Sequence, residues 1–70
     1  MLRIYHTTNK ALIVDEYMKT YAIEPIEVAR QYARGKKHVD RPRESLELAL
    51  NNVVENRFTR INIKDEGING

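Results

Sequence analysis

The chain contains no cysteine, and in a protein of seventy residues that omission narrows the folding options more than any motif does. A domain this short buries only about 60% of the surface its unfolded chain exposes, so its core alone is marginal. Disulfides and zinc–thiolate clusters, two of the usual supplements, are excluded. The two histidines, His6 and His38, stand far apart and in no metal-ligand spacing, so neither a metal nor any other cofactor is expected. A second chain is the supplement that remains. The sequence therefore favours a homodimer, or folding on a partner.

With 41% hydrophobic and 31% charged residues the chain belongs to the folded class. No run approaches the roughly 18 apolar residues of a membrane span, and Met1 to His6 lacks the apolar centre of a signal peptide. The expectation is a cytoplasmic protein with no membrane partner.

Periodicity supplies the elements. Leu2, Ile4 and His6 alternate with Arg3, Tyr5 and Thr7, the period of a strand over Leu2 to Thr8. Its Leu2–Ile4–His6 face predicts a half-buried structural histidine. From Lys10 to Ala22 the residues Val14, Tyr17, Met18 and Tyr21 recur at helical spacing, which predicts an amphipathic helix. Ala11 to Val14 is an unbroken apolar run and also fits the second strand of a hairpin. Pro25 suits a helix start and Gly35 a helix stop, bracketing a second helix that buries Ile26, Ala29, Tyr32 and Ala33. Lys36 to Asp40 reads as a basic connector. A third helix, opened by Asp40 and running to about Arg57, carries the stripe Leu46, Ala49, Leu50 and Val53. Thr59 to Lys64 alternates again and reads as a second strand. The predicted fold is a small α+β domain over residues 1–64, ordered strand–helix–helix–helix–strand. Its two-stranded sheet closes within the chain or across a dimer. Residues 65–70 are expected to form a flexible tail.

Catalytic equipment is missing from the sequence. Ser45 is the one serine, placed in the first turns of a helix, and none of the three glycines fits a phosphate loop. Acid pairs such as Asp15–Glu16 fall on solvent faces. His38 with its basic neighbours is the one candidate general acid–base, for an RNA-cleaving activity. A loop histidine is the simpler explanation, and the chain is expected not to be an enzyme.

Charge is unevenly spread. Between Arg30 and Arg43 lie six basic side chains and one acidic, whereas the remainder of the chain is net acidic. Such a cluster suits a phosphate backbone, because guanidinium forks match phosphate oxygens and each neutralised phosphate releases counterions. The expected function is a small nucleic-acid-binding regulator acting on duplex DNA. Its phosphate contacts are Arg34, Lys36, Lys37, His38, Arg41 and Arg43, at a helix-turn-helix-like junction. A ribbon-helix-helix arrangement would instead turn Arg3, Tyr5 and Thr7 outward from a strand paired with its copy, although the third helix has no place in it. The alternative function is a small inhibitor or adaptor of phage or plasmid type that docks on a larger protein. Arg3, Tyr5 and Thr7 would form that interface, with Tyr5 as the exposed anchor. Tyr17, Tyr21 and Tyr32 are assigned to the core. No stretch carries a family motif.

Overall fold

Ala11, Leu12, Ile13 and Val14 are all buried, and this double-sided burial organises the molecule. A strand with helices on both faces reads as a continuous apolar run, without alternation. In the computed structural model, which describes residues 1–63, these four residues form the middle of strand β2, Lys10–Asp15. It pairs antiparallel with β1 (Leu2–His6) on one side and with β3 (Thr20–Pro25) on the other. Helix α1 (Ile26–Ala33) leads to β4 (His38–Arg41), and helix α2 (Leu46–Glu55) to the two-residue β5 (Thr59–Arg60).

The protein is thus α+β with a five-stranded mixed sheet, ordered β4-β1-β2-β3-β5, and two helices. This corrects the strand–helix–helix–helix–strand order and its two-stranded sheet. Since the sheet reaches five strands within one chain, the argument that a second chain must complete it loses its premise. The proposed tail, 65–70, lies outside the described residues, as does Lys64.

β4 runs parallel to β1, and β5 parallel to β3. The crossover from β3 to β4 and that from β4 to β5 traverse the sheet in opposite directions. A common crossover hand therefore sends the two helices to opposite faces. The core divides accordingly. Leu2, Ile4, Ala11, Ile13 and Ala22 pack with Ala29 and Ala33 of α1. Tyr5, Leu12 and Val14 pack with Val53 of α2, flanked by Leu46, Ala49 and Leu50.

The expected helix over Lys10 to Ala22 is replaced by the β2–β3 hairpin. Its turn contains neither glycine nor proline. Asp15 Oδ1 accepts from the Tyr17 and Met18 N–H groups, each at 3.0 Å, and Lys19 takes the left-handed conformation at φ 58°. The turn is therefore built by an aspartate side chain that mimics a backbone turn. Tyr17, assigned to the core by its helical spacing, is 88% exposed at this tip, and Met18 is exposed beside it.

The third helix also starts later than expected. Asp40 and Arg41 belong to β4, and Ser45 caps α2 by accepting from the Leu48 N–H at 3.3 Å. Its predicted stripe faces the sheet. The strand expected over Thr59 to Lys64 is limited to Thr59 and Arg60. Beyond them the buried Glu24 takes over, its Oε2 accepting from the Ile63 N–H at 3.0 Å, while Ile61 and Ile63 pack on the α1 side of the sheet.

Gly35 ends α1 at φ 78°, with no atom within 4 Å of where a Cβ would lie. The cost of a side chain there is conformational alone. Gly35→Ala is expected to lower stability by about 1 kcal/mol, read from the urea midpoint.

Candidate nucleic-acid interface

The edge strand β4 is short and charged, as exposed edges usually are. Only Val39 among its four residues is apolar, so it is held by pairing with β1 and by the Leu2 N–H donating to the Lys37 carbonyl at 3.2 Å. α1 runs back along the sheet to the start of this edge. Arg30 and Arg34 lie one turn apart at the end of that helix, and Lys36 and Lys37 follow in the loop. His38 opens β4, Arg41 closes it about 10 Å further on, and Arg43 stands in the turn before α2. The sequence cluster thus becomes a cationic margin along one edge of the sheet.

Three carboxylates are already engaged, while Glu27, one turn before Arg30, pairs with no cation among the described residues. Asp40 Oδ1 meets His6 Nε2 at 3.1 Å, Glu44 meets Arg41 at 3.7 Å, and Glu16 meets Arg3 at 2.9 Å. Arg30, Arg34, Lys36, Lys37 and Arg43 have no carboxylate partner among the described residues. Lys36 Nζ sits 3.4 Å from the centre of the Tyr32 ring, which fixes its stem without neutralising it.

Register decides which groups share a face. Leu2 pairs with His38 and Ile4 with Asp40, so His6, His38 and Asp40 lie on the α1 side. There they border a half-open groove of about 510 Å³ between α1 and β4. Its apolar lining is Ile4, Ala29, Ala33 and Pro42, and Arg30 and Arg34 line it from the helix. His38 donates Nδ1–H to the Lys36 carbonyl at 2.9 Å, since a carbonyl can only accept, and Nε2 is left for another partner.

No family model, curated protein or solved structure matches this chain significantly. What the interface can do therefore follows from its geometry.

Of the expected contact residues, Arg34, Lys36, Lys37, His38 and Arg43 are exposed along this margin. Arg41 points to the α2 side, where Glu44 holds it, and its Nε is buried without a hydrogen-bond partner. The helix-turn-helix arrangement does not form. β4 occupies the supposed turn, and the two helices lie on opposite faces of the sheet. The ribbon arrangement fails for a similar reason: β1 is paired on both sides and has no edge to offer a copy.

Arg3, Tyr5 and Thr7 do not form a common outward face either. Arg3 pairs with Glu16, and Thr7 shapes the β1–β2 turn, its Oγ1 accepting from the Lys10 N–H at 3.0 Å. Tyr5 is only 5% exposed, because α2 covers that side of β1.

Sequence reasoning passed over Arg30, His6 and Asp40. Arg30 was detectable from its spacing of four from Arg34 within a helix. The His6–Asp40 contact depends on the parallel pairing of β1 with β4 and leaves no local signal. As for RNA cleavage, His6 and His38 are separated by about 14 Å along and across the strands. They stand at opposite ends of the groove rather than around one phosphate. Among the described residues, no three His, Cys, Asp or Glu side chains converge as a metal site, and no helix is long and apolar enough to cross a membrane.

Proposed function

We propose that this protein is a small nucleic-acid-binding protein that holds phosphates along its β4 edge and acts in the cytoplasm. The observation that carries the reading is the clustering of Arg30, Arg34, Lys36, Lys37 and Arg43 without carboxylate partners among the described residues, while Asp40, the one acid among them, is hydrogen-bonded to His6. Unneutralised cations on one margin attract a polyanion and gain counterion release when they bind it. Contact is by the end of α1, the loop after it and the strand edge, where these cations lie.

Amide chemical shifts followed during titration with a random-sequence oligonucleotide test this directly. The largest changes are expected at Arg30, Arg34, Lys36 to Asp40 and Arg43. Changes confined to the β2–β3 turn and β5 would refute the assignment.

A second reading, docking on a larger protein, is favoured by the exposed pair Tyr17 and Met18 at the hairpin tip. Large apolar side chains held out by a hydrogen-bonded turn are suitable interface anchors. Shifts confined to that tip, in the presence of a partner protein, would support it.

A further inference from the structure

We propose that the groove between α1 and β4 receives one unpaired nucleotide of a single-stranded nucleic acid, with its phosphate on Arg30 and Arg34 and its base toward the His6–Asp40 pair. The inference rests on the phosphate-binding role of the β4 edge and adds the class of ligand and its orientation.

The groove has the size and chemistry for such a guest. Its volume of about 510 Å³ falls in the range of small-molecule sites. Ala29 and Ala33, one turn apart on α1, end at Cβ and form part of its floor, themselves almost wholly buried. A base has an apolar face and a polar edge, and this lining offers both kinds of surface, Pro42 and the arginine stems over a floor of Ile4 and the alanines on one hand and imidazoles on the other. Single-strand binders combine a cationic track with planar side chains on which bases stack, and here arginine and histidine are the planar groups.

Charge sets the direction. α1 runs antiparallel to β4, so Arg34 lies at the His38 end of the groove and Arg30 one turn nearer the middle. Like charges four apart on a helix repel, and neither arginine has a carboxylate partner among the described residues. An anion between them removes that repulsion. Asp40 stands at the opposite end and repels a phosphate there. One of its oxygens accepts from His6 Nε2, and its other oxygen is available to accept from an exocyclic amine, as carboxylates do from cytosine. Adenine, cytosine and guanine carry such an amine. Thymine and uracil do not. Duplex DNA keeps its bases stacked and paired, so it reaches the edge cations but not the groove.

The test is a set of affinities by fluorescence anisotropy at low salt, for ten-nucleotide single strands of dA, dC and dT and for a duplex of equal length. The wild-type protein is expected to bind dA and dC strands about tenfold more tightly than dT or duplex. Ala33→Leu fills the groove without changing charge. It should weaken dA and dC binding by about tenfold and leave the salt dependence as it was. A folded Ala33→Leu protein that binds every strand as the wild type does would overturn the groove assignment and leave the edge reading intact. Loss of all binding in the wild type would end both. Should Ala33→Leu fail to fold, adenosine monophosphate titrated into the wild type gives the answer. Shifts of the Ala29 and Ala33 methyl signals are expected, and their absence at millimolar nucleotide would refute the proposal.

Discussion

Leu12→Ala is expected to leave the protein largely unfolded at 37 °C. Leu12 is wholly buried in the central strand, beneath α2 and beside Val14, Tyr5 and Val53. Removing a leucine side chain from such a position costs about 2–5 kcal/mol, through lost transfer energy and the cavity left behind. A core of this size supplies about 3–5 kcal/mol in total, so one truncation consumes most of it. The companion variant Tyr17→Ala should shift the urea midpoint hardly at all, by less than about 0.5 kcal/mol, because its ring is out in solvent. Had Lys10 to Ala22 been a helix, Tyr17 would lie on the buried stripe and Leu12 on the opposite face, and the two effects would be reversed. Urea denaturation of the two variants, followed by circular dichroism, separates these cases.

The second large effect is on binding. Lys36→Glu with Lys37→Glu is expected to weaken nucleic-acid affinity on the order of 100-fold at 50 mM salt, since two phosphate contacts are lost and two repulsions introduced. Stability should change little. Both side chains are exposed, and the contact forfeited is that of Lys36 over the Tyr32 ring, worth about 0.5–1 kcal/mol. The control is the same change of charge made elsewhere, Lys10→Glu with Arg60→Glu, in β2 and on the opposite edge of the sheet. That protein should lose only a few-fold, through net charge alone. Equal losses in both double variants would mean that overall charge, and not the β4 edge, governs binding.

These effects also mark where the sequence was readable and where it was not. Both helices announce themselves, one through Ile26, Ala29, Tyr32 and Ala33 between Pro25 and Gly35, the other through Leu46, Ala49, Leu50 and Val53. Each stripe faces its half of the core. β1 alternates because its two faces meet different surroundings, and the half-buried His6 is where that alternation puts it.

β2 is only half hidden: the apolar run Ala11 to Val14 fits the second strand of a hairpin, which the antiparallel pairing with β1 bears out, but its success as a core strand conceals the rest. Burial on both faces erases the period of two, and the spacing of Val14, Tyr17, Met18 and Tyr21 then imitates a helix across what is a turn. Asp15 and Lys19 make that turn without the glycine that normally betrays one. β4 is hidden for the opposite reason, having one apolar residue and gaining its stability from pairing with β1. The same split holds for the interface. Its cations are contiguous in sequence and visible there, whereas the groove they border exists only because β4 lies beside β1 and α1 crosses above.

Affinity for a random-sequence single-stranded oligonucleotide, measured from 50 to 200 mM salt, tests the central claim most directly. Five cations without a carboxylate partner among the described residues, at about 0.7 counterions per phosphate, predict a logarithmic slope near −3.5, a loss of about 100-fold across that range. Affinity that does not change with salt, or no binding at 50 mM, would contradict the assignment of the β4 edge as a phosphate-binding surface.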